Sequence, residues 1–234
     1  MIAAERALER LRDGNRRFVE GVRSLDTLAS QTRRGDHVAG QAPFAVILGC
    51  SDSRVPVEIV FDQGLGDLFV IRVAGNIVAP SQIGSVEFAA ERFGTRLVVV
   101  LGHTHCGAVQ ATLEVLQGAG SRQSRNLSSI VDRIRPSVEG LLAGERGGGG
   151  ESRLKPLLRE SRLEPLLQEI PQRIPQEVPQ ELVRAAVRAN VRVSVEAMRH
   201  GSEILERLIE REGLLVVGAE YSLETGAVEF FAGP

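Results

Sequence analysis

Both cysteines of this chain fall in two short runs, Cys50-Ser51-Asp52-Ser53-Arg54 and His103-Thr104-His105-Cys106-Gly107. Two thiolates and one imidazole suit a borderline-soft cation, and three protein ligands on a tetrahedral ion leave a fourth position for water or substrate. His103 and Cys106 stand three residues apart where a strand is expected to give way to a helix, so both side chains can turn toward one point. Cys50 must then arrive from a neighbouring strand end. A free cysteine is ordinarily a small buried hydrophobe. Here both lie among polar or charged residues at strand ends, which favours ligands over filler. His105 competes with His103 for the same role. Neighbouring side chains such as His105 and Cys106 point apart, so His103 is the expected ligand and His105 is expected to face solvent without a role.

Asp52 and Arg54 form a second informative pair, two apart in a turn directly after a candidate ligand. The carboxylate can bind the cation, accept a hydrogen bond from its water, or pair with Arg54. A bidentate arginine would neutralise it and set its orientation. His37 and His200 lie in polar contexts and are expected to carry no chemistry.

The elements that must position these residues are readable from apolar patterning. Phe44 to Gly49 and Leu97 to Gly102 are predicted as buried strands, and Leu68 to Val73 as a further strand. A helix opened by Ser81 as N-cap is expected to run to about Phe93, and another from about Gly107 to Gln117. Further on, helices are expected near Glu181 to Arg199 and Glu203 to Glu212, then a strand at Leu214 to Val217. A last strand, Val228 to Phe231, follows a turn-rich stretch and is placed antiparallel at an edge. The alternation predicts an α/β fold with a mostly parallel central sheet, flanked by helices. Both cysteine runs then sit past the carboxyl ends of strands, where ligands bind in open α/β sheets. At the front, about Ala3 to Glu20 places Ala7, Leu8, Leu11 and Phe18 on one helical face in need of a partner surface.

Composition narrows the function classes. With 234 residues, 43% hydrophobic and 25% charged, the chain suits one ordinary globular domain, 1–234, with an N-terminal helical arm over about 1–40. A net charge of -2, one Tyr and no Trp argue against nucleic-acid binding. No apolar run is long enough to span a bilayer, and the N-terminus lacks the pattern of an export signal, so a cytoplasmic, reducing location is expected. Between the two halves lies an insertion of about 147–180. It holds four consecutive glycines, the near-duplicate ESRLKPLLR and ESRLEPLLQ, and then IPQR, IPQE and VPQE. Its five prolines forbid a long regular helix, and it reads as a surface insertion, with a binding segment built on the Leu157–Leu158 and Leu166–Leu167 pairs as the alternative.

The motifs CSDSRVP, GDLFVIRVAGN, GSVEFA and GHTHCGAV between Gln41 and Gln117, with similarity resuming from about Asn190 to Phe231, resemble the β-class carbonic anhydrases in their plant-like branch. That resemblance implies Zn2+ on Cys50, His103 and Cys106, with Asp52 and Arg54 as catalytic dyad. It implies that Gln41 hydrogen-bonds substrate, that Phe69 and Phe88 form an apolar wall, and that the Gly107 backbone N–H lies close by. Plant-like members often carry Tyr at the position of Phe88, so a hydroxyl contact is absent here. An inhibitory bicarbonate site of another branch uses a Trp, which this chain lacks. The implied activity is reversible hydration of carbon dioxide to bicarbonate and a proton, in a homodimer or higher even homo-oligomer whose N-terminal helices wrap a neighbour. Two thiolates make zinc-bound water less acidic than three imidazoles do, so activity is expected to favour alkaline pH. Asp52 is expected to leave the site open while Arg54 holds it. The same fold and metal could instead hydrolyse carbon disulfide or carbonyl sulfide. A zinc protein without activity, closed by Asp52, is the reading from another class.

Overall fold

Three strands rich in β-branched residues, two of them buried along their whole length and the third half-buried at an edge, set the centre of the molecule. In the computed structural model, which describes residues 2–25, 27, 34–118, 124–147 and 178–232, these are β1 (Ala45–Gly49), β2 (Leu68–Arg72) and β3 (Leu97–His103). With β4 (Leu215–Tyr221) and β5 (Val228–Ala232) they form one sheet in the order β2-β1-β3-β4-β5. All neighbours run parallel except β4 and β5. The fold is therefore α/β with an antiparallel edge, as expected. Strand order reverses between β1 and β3, which is the crevice where such sheets bind ligands.

Alternation along the strands divides the core. Ile47, Val99, Leu101 and Ala219 face α1 (Ala4–Val19) and α2 (Val57–Val60). Val46, Leu48, Val98, Val100 and Val216 face α3 (Pro80–Arg92), α6 (Gln180–His200) and α7 (Glu203–Glu212). Beyond the carboxyl ends of the strands, α4 (Gly107–Leu116), α5 (Arg125–Gly147) and α6 enclose a third apolar cluster that includes Cys50 and Cys106.

Several local expectations are corrected. Ser81 does not cap α3: Ala79 is the N-cap, Pro80 takes the first turn, and the Ser81 hydroxyl turns to Gln82. Proline fits that position because its missing N–H would be unpaired anyway. The strand expected at Leu214 to Val217 runs on to Tyr221, since Gly218, Ala219 and Glu220 are drawn into pairing with β3 despite weak strand propensity. Helix α5 was not assigned from sequence, because Pro136 interrupts its pattern; Val131, Ile134, Val138 and Leu142 nonetheless form one buried stripe along it.

The surface that α1 needs is supplied by its own chain. Ala4, Ala7 and Leu11 are buried against the sheet, and a Cβ at Gly14 would lie 1.9 Å from the Phe61 carbonyl, so only glycine permits this approach. Asn15 completes the seat, donating to the carbonyls of Val60 (3.1 Å) and Gly226 (2.9 Å) and accepting from Val228 N–H (2.8 Å). The Gly- and Pro-rich insertion lies almost wholly outside the described residues.

Candidate metal centre

Each candidate ligand is placed by an element end. Cys50 follows β1, His103 is the last residue of β3, and Cys106 is the N-cap of α4. Since β1 and β3 are neighbours in parallel register, their ends bring the three together at the crevice. The donor atoms of Cys50, His103 and Cys106 lie within 4.8 Å of one another, and all three residues are buried.

Their protonation is legible from their neighbours. His103 Nδ1 lies 2.8 Å from the Thr104 carbonyl oxygen, which can only accept, so Nδ1 carries the proton and Nε2 presents a lone pair. That Nε2 is buried and has no hydrogen-bond partner among the described residues. The Cys50 thiol is drawn down to about 4, first by its hydrogen bond with Cys106 and then, against the opposing effect of burial, by His103 and the backbone N–H groups of Gly75 and Asp52. Cys106 moves the other way, because the same hydrogen bond and burial keep the second proton in place, although the amides of Val109 and Ala108 at the start of α4 pull against it. An orphaned imidazole nitrogen beside two sulfurs, one already disposed to be thiolate, is a donor set that fits a tetrahedral thiophilic cation.

The rim above these donors is polar. Arg54 grips Asp52 with Nε to Oδ1 (2.9 Å), Nη2 to Oδ2 (2.7 Å) and its backbone N–H to Oδ1 (2.9 Å). The guanidinium holds the Asp52 carboxyl well below the usual carboxylate range. Asp52 Oδ2 remains 3.8 Å from His103 Nε2, so the carboxylate borders the donor cluster while tied to its arginine. Arg72 staples the loop from below, donating to the carbonyls of Cys50 (3.0 Å) and Asp52 (2.6 Å).

His105, expected to face solvent without a role, has φ +55°, a left-handed conformation that costs a residue with a Cβ roughly 1–2 kcal/mol. Its ring bonds Glu224 at 2.5 Å, and its carbonyl accepts from Arg54 Nη2 at 3.2 Å. Glu224 is in turn held down to about 2, first by the Thr104 hydroxyl, with help from Ser222 and His105.

The expected substrate contacts are distributed differently. Gly107 lies beside Cys106 at the start of α4, and a Cβ there would meet nothing within 4 Å, so space is open above it. Gln41 is exposed and precedes β1, which separates it from Cys50 by a strand about 16 Å long at ~3.3 Å per residue. Phe69 pairs with Val46, four residues before Cys50, and packs with Phe88 and Phe93 at ring-centroid distances of 6.2 and 6.1 Å. Phe88 is 54% exposed. Neither Phe69 nor Phe88 belongs to the apolar cluster that encloses Cys50 and Cys106.

Sequence reasoning missed Arg72, Glu224, Gly75 and Asn190. Gly75, at φ +71°, donates its N–H to Cys50 Sγ (3.3 Å), and its carbonyl accepts from the buried Asn190 Nδ2 (2.7 Å). A Cβ at Gly75 would lie 2.7 Å from Ile134 Cδ1. The glycine's place in VAGN was a visible signal; nothing local marked Asn190 or Glu224.

Comparison with known proteins agrees with this geometry. Residues 45–228 match the family model described as carbonic anhydrase. Carbonic anhydrase 2 of Mycobacterium tuberculosis is 45% identical over 142 residues, covering 61% of this chain and 66%, just under two thirds, of that relative. Among solved structures, a β-carbonic anhydrase of the fungal pathogen Aspergillus fumigatus superposes with a TM-score of 0.65 at 23% identity, covering 88% of this chain and 84% of that one. One of two tetrameric β-carbonic anhydrases from Sordaria macrospora gives 0.64 at 20% identity, covering 88% and 92%. At such identities the structural likeness speaks for the fold, while the family match spans most of the sequence, including the whole donor cluster. The chain belongs to the carbonic anhydrase family and has the fold of the β-carbonic anhydrases.

Proposed function

We propose that this protein catalyses the reversible hydration of carbon dioxide to bicarbonate and a proton, with zinc held by Cys50, His103 and Cys106. The observation that carries this reading is the unpartnered His103 Nε2 facing two cysteine sulfurs beside an Asp52 carboxylate already engaged by Arg54. Bound zinc supplies the Lewis acidity that turns a water molecule into a nucleophile near neutral pH. Asp52, ionised and able only to accept, would take a hydrogen bond at Oδ2 from a water held there and orient it toward carbon dioxide. Arg54 keeps both carboxylate oxygens occupied, which favours an open fourth position over a site closed by Asp52. Apolar side chains of α4, α5 and α6 exclude water from beneath the donors. The Gly107 N–H, at a helix N-terminus, favours the negative charge of bicarbonate.

The substrate contacts of Gln41, Phe69 and Phe88 are made, in this reading, across an interface between copies of the chain. Their separation from Cys50 within one chain and the exposure of Phe88 on the side of edge strand β2 support a homodimer or a multiple of one. No helix among the described residues is long and apolar enough to cross a membrane. The test is stopped-flow carbon dioxide hydration against pH, with metal content and light scattering on the same sample. Hydration that rises toward alkaline pH in a zinc-loaded dimer or larger is expected. A zinc-replete protein without hydration activity would overturn the catalytic reading, and a fully active monomer the interface.

A further inference from the structure

The two residues between the candidate ligands His103 and Cys106 are both tied to the turn that follows β4. Glu224 Oε1 accepts from His105 Nε2–H (2.5 Å), and Oε2 accepts from the hydroxyls of Thr104 (2.8 Å) and Ser222 (2.9 Å). Thr104 Oγ1 accepts in its turn from Leu223 N–H (3.0 Å), and Thr104 N–H donates to the Tyr221 carbonyl (3.0 Å). On the opposite side of the same loop, the His105 carbonyl accepts from Arg54 Nη2 (3.2 Å). The second N–H of that nitrogen is spent on Asp52 Oδ2 (2.7 Å).

We propose that Glu224 is a positioning residue for the Asp52–Arg54 pair: by fixing the His105 ring and the Thr104 hydroxyl, it holds the His105 carbonyl where Arg54 can anchor on it. The reasoning is geometric. Arg54 is half-exposed, and its bonds to Asp52 alone would let the two side chains swing together as one unit about their shared loop. The His105 carbonyl joins that loop to the end of β3, so the pair is referenced to the donor cluster. His105 can present its carbonyl this way only because its backbone is left-handed, a conformation its surroundings must enforce, and Glu224 is the group that grips its ring. Glu224 touches none of the three candidate ligands. Its effect on turnover rests on the function proposed above; its effect on Arg54 does not.

Zinc-loaded protein and the variants Glu224→Ala, Glu224→Gln, Arg54→Ala and the Glu224→Ala/Arg54→Ala double variant separate these statements. The first readout is the Arg54 Nε–H resonance in 15N-labelled protein, assigned by its loss in Arg54→Ala. In the parent protein it is expected to be sharp and shifted by the Asp52 bond; in Glu224→Ala it should broaden or move, with zinc content unchanged. The Gln variant keeps one acceptor oxygen for His105 and turns its NH2 donor toward the hydroxyls, which can rotate to accept, so it should retain most of the parent signal and rate. For turnover, Glu224→Ala should lower kcat about 10-fold with KM little altered, the lower end for an outer hydrogen-bond partner. In the Arg54→Ala background it should cost nothing more. Should Glu224→Ala fail to fold, His105→Ala removes the same grip and must broaden the same resonance. An Arg54 signal untouched by Glu224→Ala or His105→Ala, or rate losses that add in the double variant, overturns the proposal. A parent protein that binds zinc but hydrates no carbon dioxide defeats the functional reading, while the resonance still decides the role of Glu224.

Discussion

Cys50, His103 and Cys106 are almost fully enclosed, whereas Asp52, Arg54, His105 and Glu224, their near neighbours in the chain or in space, lie at or near solvent. The donors are held by burial. They sit at ends of strands whose register is set by core packing, among apolar side chains of three helices. The rim is held by hydrogen bonds between charged groups in loops, each strong in geometry yet screened by water and salt. Losing a donor should therefore abolish a function outright, while loosening the rim should grade it.

The sharpest way to break this contrast is Cys106→Ala. With two donors left, zinc should fall from stoichiometric to near zero and activity with it, read by metal analysis beside the hydration assay. His105→Ala, one residue away, should keep its zinc; loss of metal there would place His105 among the donors.

Next comes Arg54→Ala, which removes the partner of Asp52 without touching a donor. Zinc should stay, and the rate should drop roughly 10 to 100-fold. Freed Asp52 is then able to approach the cluster, so structures at low and high pH should place its carboxylate nearer His103 in the variant. An unchanged rate would mean that the arginine is only a surface partner.

Asn190→Leu tests whether the enclosed region depends on hydrogen bonds as well as packing. It leaves the buried Gly75 carbonyl unsatisfied, which should cost about 1–3 kcal/mol in chemical denaturation. Because the Gly75 N–H faces Cys50, zinc affinity should weaken too. Stability lost without any change in affinity would confine Asn190 to the core.

The smallest effect expected is the pH dependence of the rim. Glu224 is held down to about 2 by the hydroxyls and His105, against an ordinary glutamate value of ~4.3. A carboxyl lowered on folding stabilises fully above its unfolded value and loses that contribution as pH falls through the folded one. The melting temperatures of the parent protein and Glu224→Gln should thus differ by a constant amount from pH 8 to about 5, draw together below ~4 and converge as pH approaches about 2. Salt should narrow the gap, because the group is exposed. A gap that widened on acidification would contradict the assignment.

How much of this was readable before folding depended on the distance over which each group is held. Cys50, Asp52 and Arg54 lie within five consecutive residues, and His103 with Cys106 within four, so local spacing next to apolar strand patterns was enough to nominate them and place them at strand ends. The α/β alternation was legible for the same reason, since burial on both faces leaves continuous runs of Val, Ile and Leu. What local sequence lacked was any record of partners far along the chain. Asn190 meets Gly75 across 115 residues and Glu224 meets His105 across 119, and each is an ordinary polar residue until the sheet order brings it there. Helix α5 was hidden by Pro136 because its stripe is stabilised by α4 and α6 rather than by propensity. The placement of Gln41, Phe69 and Phe88 away from the donors was likewise decided by register, which sets each residue's level along the sheet. Donor chemistry was thus written in residue type and short spacing, while the orientation of those donors came from tertiary hydrogen bonds that form only once distant segments pack.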